Sequence, residues 1–172
     1  MNPWLLLGLG VVGLTLAWRR KPSSRLLVAP LDGSLSTTPH GNFGAPRKGP
    51  PQHQHQGIDL AARPGSFVRA IGAGVIVKTN PGLGGLVRKL KLDTPTAYVS
   101  GKQPVAFVVY ADLGSALREP GEHVAQGEPI AVVGKRGFFH FACKRVVGGR
   151  EEFFDPALAG LGYRATKERV SA

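Results

Sequence analysis

The chain has one cysteine, Cys143, in 172 residues. No intrachain disulfide can form, and a zinc site built from several thiolates is excluded. Acidic residues are scarce too: 11 Asp and Glu stand against 22 Lys and Arg, a formal net charge of +11. Such a balance favours an anionic partner, whether nucleic acid, acidic lipid headgroups or a polyanionic cell wall. The basic residues form no long run, and no helix-turn-helix or RNA-binding signature accompanies them, so nucleic acid is not expected. There is no internal repeat. What the chain has in quantity is Gly (24) and Pro (14), with 42% hydrophobic residues. That mixture excludes a disordered chain and suits short strands joined by turns within one domain plus an appendage.

Only one apolar run is long. Residues 3–18 are almost wholly apolar, with Trp4 and Trp18 near the two ends and Arg19, Arg20 and Lys21 following. Aromatic belts sit at such ends, and about 20 residues span a bilayer. A cleavable leader would carry its charge before the run and a small-x-small site after it. Here the charge comes afterwards, so residues 3–18 are expected to contact membrane lipid as a single-pass anchor. The basic flank favours a cytoplasmic globular domain by the positive-inside rule, which conflicts with a wall-facing one.

Beyond residue 36 the chain becomes rich in Pro, Gly, His and Gln up to Gln54, an ordered loop without repetitive structure. Strand patterns follow: 58–60, 67–70, 74–78, 86–92, 105–110, 122–127, 130–134 and 137–146. Regular spacing of short strands predicts an all-β, antiparallel two-sheet sandwich or barrel-like domain.

The stretch His53-Gln54-His55-Gln56-Gly57-Ile58-Asp59-Leu60 carries the chemistry. Imidazole and carboxylate are ordinary zinc ligands. In extended backbone, residues i and i+4 share a face, so His55 and Asp59 can close on one ion. Gly57 between them permits a close backbone approach or a positive φ. By the same period of two, Phe138, His140 and Ala142 share one face of the last strand pattern, and Cys143 points away from it as a core residue. His53 lies on the face of His55, His40 in the preceding loop and His123 in a turn; solvated roles suit all three. The segment Arg88-Lys89-Leu90-Lys91 reads as a solvated basic sheet face.

In order and spacing, residues 43–161 resemble the lysostaphin-like, LytM-type zinc endopeptidases, which cut peptide cross-links of peptidoglycan. Asn42-Phe43-Gly44-Ala45-Pro46-Arg47 is similar to the family's opening turn, and His55-Gln56-Gly57-Ile58-Asp59 to its HxGxD motif. Tyr110-Ala111-Asp112-Leu113 is similar to its tyrosine-x-histidine-leucine segment, and Phe138-Phe139-His140-Phe141 to its HxHF segment. Phe154-Asp155-Pro156 is similar to the closing Asp-Pro. The resemblance implies a groove between sheets, zinc (Zn2+) held by His55, Asp59 and His140, an open metal position for water, and peptidoglycan as partner. It also makes Tyr110 and Phe138 candidate substrate-binding residues.

Two positions depart from the family pattern. Its two further histidines, which orient water and stabilise the oxyanion, are here Asp112 and Phe138. Phe138 can neither donate to an oxyanion nor accept from water. Asp112 remains the one catalytic candidate at these places, as a base. Losing one oxyanion donor costs about 3 kcal/mol. A slow enzyme, an inactive relative or altered chemistry is therefore expected.

The expected organisation is a transmembrane anchor with basic flank (1–22), a linker (23–41), a lysostaphin-like peptidase domain (42–161) and a polar tail (162–172). The expected function is a membrane-anchored, zinc-binding peptidoglycan endopeptidase of the cell envelope or of a membrane-containing virion. A virion membrane would also ease the topology conflict. The alternative is a degenerate module of the same fold that binds wall without cutting.

Overall fold

A computed structural model describes residues 26–47, 53–78 and 85–166. The transmembrane anchor expected over 1–22 and the end of the polar tail lie outside these residues. Among the described residues every regular element is a strand, and no helix is long and apolar enough to cross a membrane.

β1 (Pro46–Arg47) and β2 (His53–Gln54) form a small antiparallel ribbon. The other nine strands are β3 (Ile58–Ala61), β4 (Phe67–Arg69), β5 (Gly74–Val77), β6 (Leu86–Thr96), β7 (Val105–Ala116), β8 (His123–Val124), β9 (Pro129–Val133), β10 (Phe138–Val147) and β11 (Arg150–Phe154). All pair antiparallel, in one sheet whose main path runs β11-β10-β7-β6-β5-β8. The all-β antiparallel expectation holds. The barrel-like closure does not occur, because the path ends on two edges, β11 and β8.

The strands form one nine-stranded sheet instead of two separate ones, because β7 and β10 each change partner midway. Along one edge of β7, residues 107–111 pair with β10 and residues 113–116 with β9. Along one edge of β10, residues 138–141 pair with β3 and residues 143–147 with β11. The switch in β7 falls at Asp112, which has φ +57. A left-handed residue breaks the two-residue alternation and bends the strand. Tyr110 and Leu113, three apart, therefore both face the core, and the Asp112 side chain leaves it.

The core is built from alternate residues: Ile58 and Leu60 of β3, Leu90 and Leu92 of β6, Val108 and Tyr110 of β7, and Phe139, Phe141 and Cys143 of β10. Tyr110 packs against both phenylalanines, at 6.5 Å from the Phe139 ring and 5.6 Å from that of Phe141. Leu27, Leu31 and Leu35, in the stretch expected to be a linker, are buried in the same core. Thr37 bridges to Leu60 and Ser36 to Arg164, so residues 36–37 lie between β3 and the segment around Arg164.

The basic strand differs from its sequence reading at one residue. Lys89 and Lys91 lie on the face opposite Leu90, but Arg88 shares the face of Leu90 and is buried. Its guanidinium is satisfied there by the Arg118 carbonyl at 2.6 Å and by both Glu119 carboxylate oxygens at 2.8 and 2.9 Å. A buried guanidinium persists only with such partners.

Candidate metal centre

The face of the sheet away from the main core carries a second, smaller apolar patch: Val87, Val109, Ala111 and Ala142, with Phe153 against it. His140 emerges beside this floor. It stands directly opposite Asp59 on β3 and Ala111 on β7. Opposed residues of an antiparallel pair share a face, so the register alone brings imidazole and carboxylate together. His55 joins them from just before β3.

Three donor atoms converge. His55 Nε2 lies 2.8 Å from His140 Nδ1, and each lies 3.2 Å from Asp59 Oδ1. Ligands of a tetrahedral zinc at 2.0–2.1 Å lie about 3.3 Å from one another. The triangle is close to one face of that tetrahedron, and two imidazoles with a carboxylate are a donor set zinc accepts. Among the described residues no other group of three or more such side chains comes together.

The surroundings fix two of the ligands. His55 Nδ1 lies 3.0 Å from the Asn42 carbonyl. A carbonyl only accepts, so Nδ1 carries the proton and Nε2 keeps its lone pair toward the site. The His55 backbone is tied on both sides, its N–H donating to the Ala45 carbonyl and its carbonyl accepting from the Gly44 N–H. Asp59 accepts at Oδ2 from Arg47 Nη2 at 2.7 Å, leaving Oδ1 toward the imidazoles. Burial pushes the Asp59 carboxyl upward, but hydrogen bonds with His140, His55 and Arg47 together hold it well below the usual carboxylate range. Gly57 is required for the close approach, because a Cβ there would stand 2.6 Å from His140 Cε1 and from the Phe141 carbonyl.

The structure thus brings His55, Asp59 and His140 together and leaves the remaining candidates elsewhere. Asp112 is outside the triangle and binds Arg136 Nη1 at 3.1 Å. Phe138 is two residues from His140 on the same face, with the Arg136 guanidinium stacked 4.5 Å from its ring centroid. Tyr110, a candidate for binding substrate, is completely buried on the opposite face of the sheet, and its hydroxyl accepts the Ile71 N–H at 3.2 Å. The two-residue period already separates it from Ala111. Cys143 is buried in the main core, where burial pushes its thiol pKa upward. His40, His53 and His123 are exposed, and His123 Nε2 lies 2.8 Å from Asp93 Oδ2.

Three contributors escaped the sequence reading: the Asn42 carbonyl, Arg47 and Arg136. A backbone carbonyl leaves no residue-type signal. Arg47 lies 12 positions from Asp59, with no period linking them. Arg136 had a signal, since it is two positions before Phe138 and so on the face of His140 if the backbone continued extended.

Comparison with known proteins agrees with this geometry. The sequence pattern of Peptidase family M23 matches residues 53–147, over half of the chain. No curated protein sequence matches. Among solved structures, a zinc-containing peptidase from Vibrio cholerae superposes with a TM-score of 0.53 at 22% identity, over 75% of this chain and 38% of that one. A peptidase M23 structure from Pseudomonas aeruginosa gives 0.51 at 20% identity, over 81% of this chain and 52% of the other. The catalytic domain of the prophage-encoded M23 protein EnpA from Enterococcus faecalis, in a point-mutant form, gives 0.52 at 23% identity, over 75% and 95%. The chain spans about half of the Pseudomonas chain and less than two fifths of the Vibrio one. These likenesses establish the fold, and the matched pattern, which begins two residues before His55 and ends seven after His140, establishes that the chain belongs to peptidase family M23.

Proposed function

We propose that this chain is a zinc-binding domain acting on the peptide cross-links of peptidoglycan. The observation that carries the reading is the triangle of His55 Nε2, Asp59 Oδ1 and His140 Nδ1, with edges of 2.8–3.2 Å and two of the ligands braced from behind. A zinc ion held there supplies Lewis-acid polarisation of a carbonyl and activation of water, with a fourth position open. Asn42 holds the His55 tautomer, and Arg47 turns one oxygen of Asp59 toward the site. The floor of Val87, Val109, Ala111 and Ala142 keeps the ligand side of the groove apolar, which strengthens the interactions of charge there. A membrane anchor at residues 3–18, and service in a cell envelope or a membrane-containing virion, belong to this proposal and rest on the sequence.

One observation favours the second reading, a wall-binding module that does not cut. Asp112 is occupied by Arg136 and Phe138 cannot transfer a proton, so neither place offers a free base beside the three ligands. Release of soluble muropeptides from purified peptidoglycan by the zinc-loaded full chain, with His55→Ala as control, decides between them. Release lost in the mutant establishes the hydrolase. Wall binding without release, with zinc bound, establishes the module.

A further inference from the structure

Beside the three ligands stands a second assembly that the metal chemistry does not use. Residues 134–137 form a tight turn between β9 and β10, closed by the Gly137 N–H on the Gly134 carbonyl at 3.1 Å. Gly137 has φ +74, which folds Arg136 back over the ring of Phe138. Asp112, turned out of the core by its own positive φ, accepts from Arg136 Nη1. The guanidinium is thus held at one nitrogen and along one face.

That arrangement leaves donors to spare. A guanidinium has five N–H groups in a planar fork, and among the described residues Arg136 has no further hydrogen-bond partner beyond Asp112. Its side chain is 68% exposed. The local balance is positive. Lys135 precedes it in the same turn, and Arg63 follows Ala62, whose N–H donates to the Gly137 carbonyl at 2.9 Å. Among these, only Arg136 is paired with the Asp112 carboxylate. An arginine pre-ordered by stacking and by one ion pair loses little entropy when its free edge binds a planar anion. Phe138 and His140 lie two residues apart on one strand face, roughly 7 Å along the strand. A peptide lying over His140 therefore reaches Arg136 within about two residues.

We propose that Arg136, positioned by Asp112 and Phe138, is a carboxylate-binding residue that selects peptides bearing a free carboxylate within about two residues of the bond lying over the metal ligands. Asp112 and Phe138 are positioning residues here, and the place vacated by proton-transferring groups serves recognition. This inference rests on the reading of the groove as a peptide site.

The test measures binding, so it needs no turnover. The zinc-loaded full chain is titrated calorimetrically with a cross-linked peptidoglycan stem peptide whose carboxylates are free, and with the same peptide converted to carboxamides. The expected result is at least tenfold tighter binding of the carboxylate form, a preference that weakens with added salt. Arg136→Gln removes the preference, weakening the carboxylate form far more than the carboxamide form, which loses only a neutral hydrogen bond. Asp112→Asn keeps part of it, because the guanidinium retains its charge but not its anchor. Equal affinity for both peptides in the native chain, or an undiminished preference in Arg136→Gln, overturns the subsite and leaves the groove reading intact. Binding of neither peptide overturns both. Arg136 is exposed on a turn, so its replacement does not threaten folding, and an unchanged unfolding curve confirms that.

Discussion

On one face of β10, Phe139, Phe141 and Cys143 are completely buried in the core that also holds Tyr110, Ile58 and Leu60. On the other, Phe138 and His140 are half-buried, and only Ala142 is covered. Over residues 139–143 the first face touches hydrocarbon and offers no titratable group to solvent; only beyond them does Arg145, paired with Glu152, reach the surface. The second carries an imidazole, a stacked guanidinium and, farther along, Lys144 over the Phe153 ring at 4.1 Å. Between residues 138 and 143 one strand therefore holds the fold together with its odd-numbered residues and presents chemistry with its even-numbered ones. Mutations on the two faces should separate stability from function.

The largest effect tests the core face. Phe141→Ala should destabilise the protein by about 3–5 kcal/mol in urea unfolding, the cost of a cavity at a fully buried aromatic. Zinc stoichiometry in the remaining folded fraction should not change. Loss of zinc from folded Phe141→Ala would show that the two faces are not separable. A smaller effect tests the metal side. Arg47→Met removes the donor on Asp59 Oδ2 and should weaken zinc binding about 10–100-fold, the usual penalty for losing a group that braces a ligand. Unfolding without metal should shift by about 1–3 kcal/mol, because the mostly buried Asp59 carboxylate loses a charged donor. Unchanged zinc affinity would mean that Asp59 is aligned by its backbone alone, through its N–H to the Gly41 carbonyl at 2.8 Å.

The smallest effect lies at the basic end of the same open face. Burial pushes the Glu151 carboxyl up, but hydrogen bonds from Lys89 and Lys144 outweigh it and hold the group below its ordinary value of 4.5. A depressed carboxylate adds stability that is present above the unfolded pKa and lost as pH falls through the folded one. Glu151→Gln should therefore lower stability at pH 7 by under about 1 kcal/mol, since solvent screens such a pair. The difference from the native chain should fade as the pH falls through the depressed folded value and the carboxylate is protonated in both states. A difference that persisted in strong acid would assign the effect to packing and not to charge.

Much of the fold was legible because a two-residue alternation is a local property. The patterns at 58–60, 74–78 and 137–146 each correspond to a strand, and the faces assigned to His140 and Cys143 are the observed ones. The short strands β1, β2 and β11 were not legible. Two of them are only two residues long, and Arg150–Phe154 begins with three charged residues that carry no apolar period. Arg88 escapes a local reading for a related reason: alternation places it inward, yet its charge argues for water, and only the Glu119 carboxylate across the fold reconciles the two.

The sequence by itself determined the donor types, the His55–Asp59 spacing and the face of His140, because these follow from residue identity and the pleat. It also determined that Phe138 cannot move a proton. Tertiary structure alone decided that β3 and β10 pair in the register that sets Asp59 opposite His140. It decided as well that Asn42 and Arg47 brace two of the ligands, and that a left-handed Asp112 leaves the core to hold Arg136. Register, bracing and that kink depend on contacts between residues far apart in sequence, Asp59 and His140 being 81 positions apart, which no local period encodes.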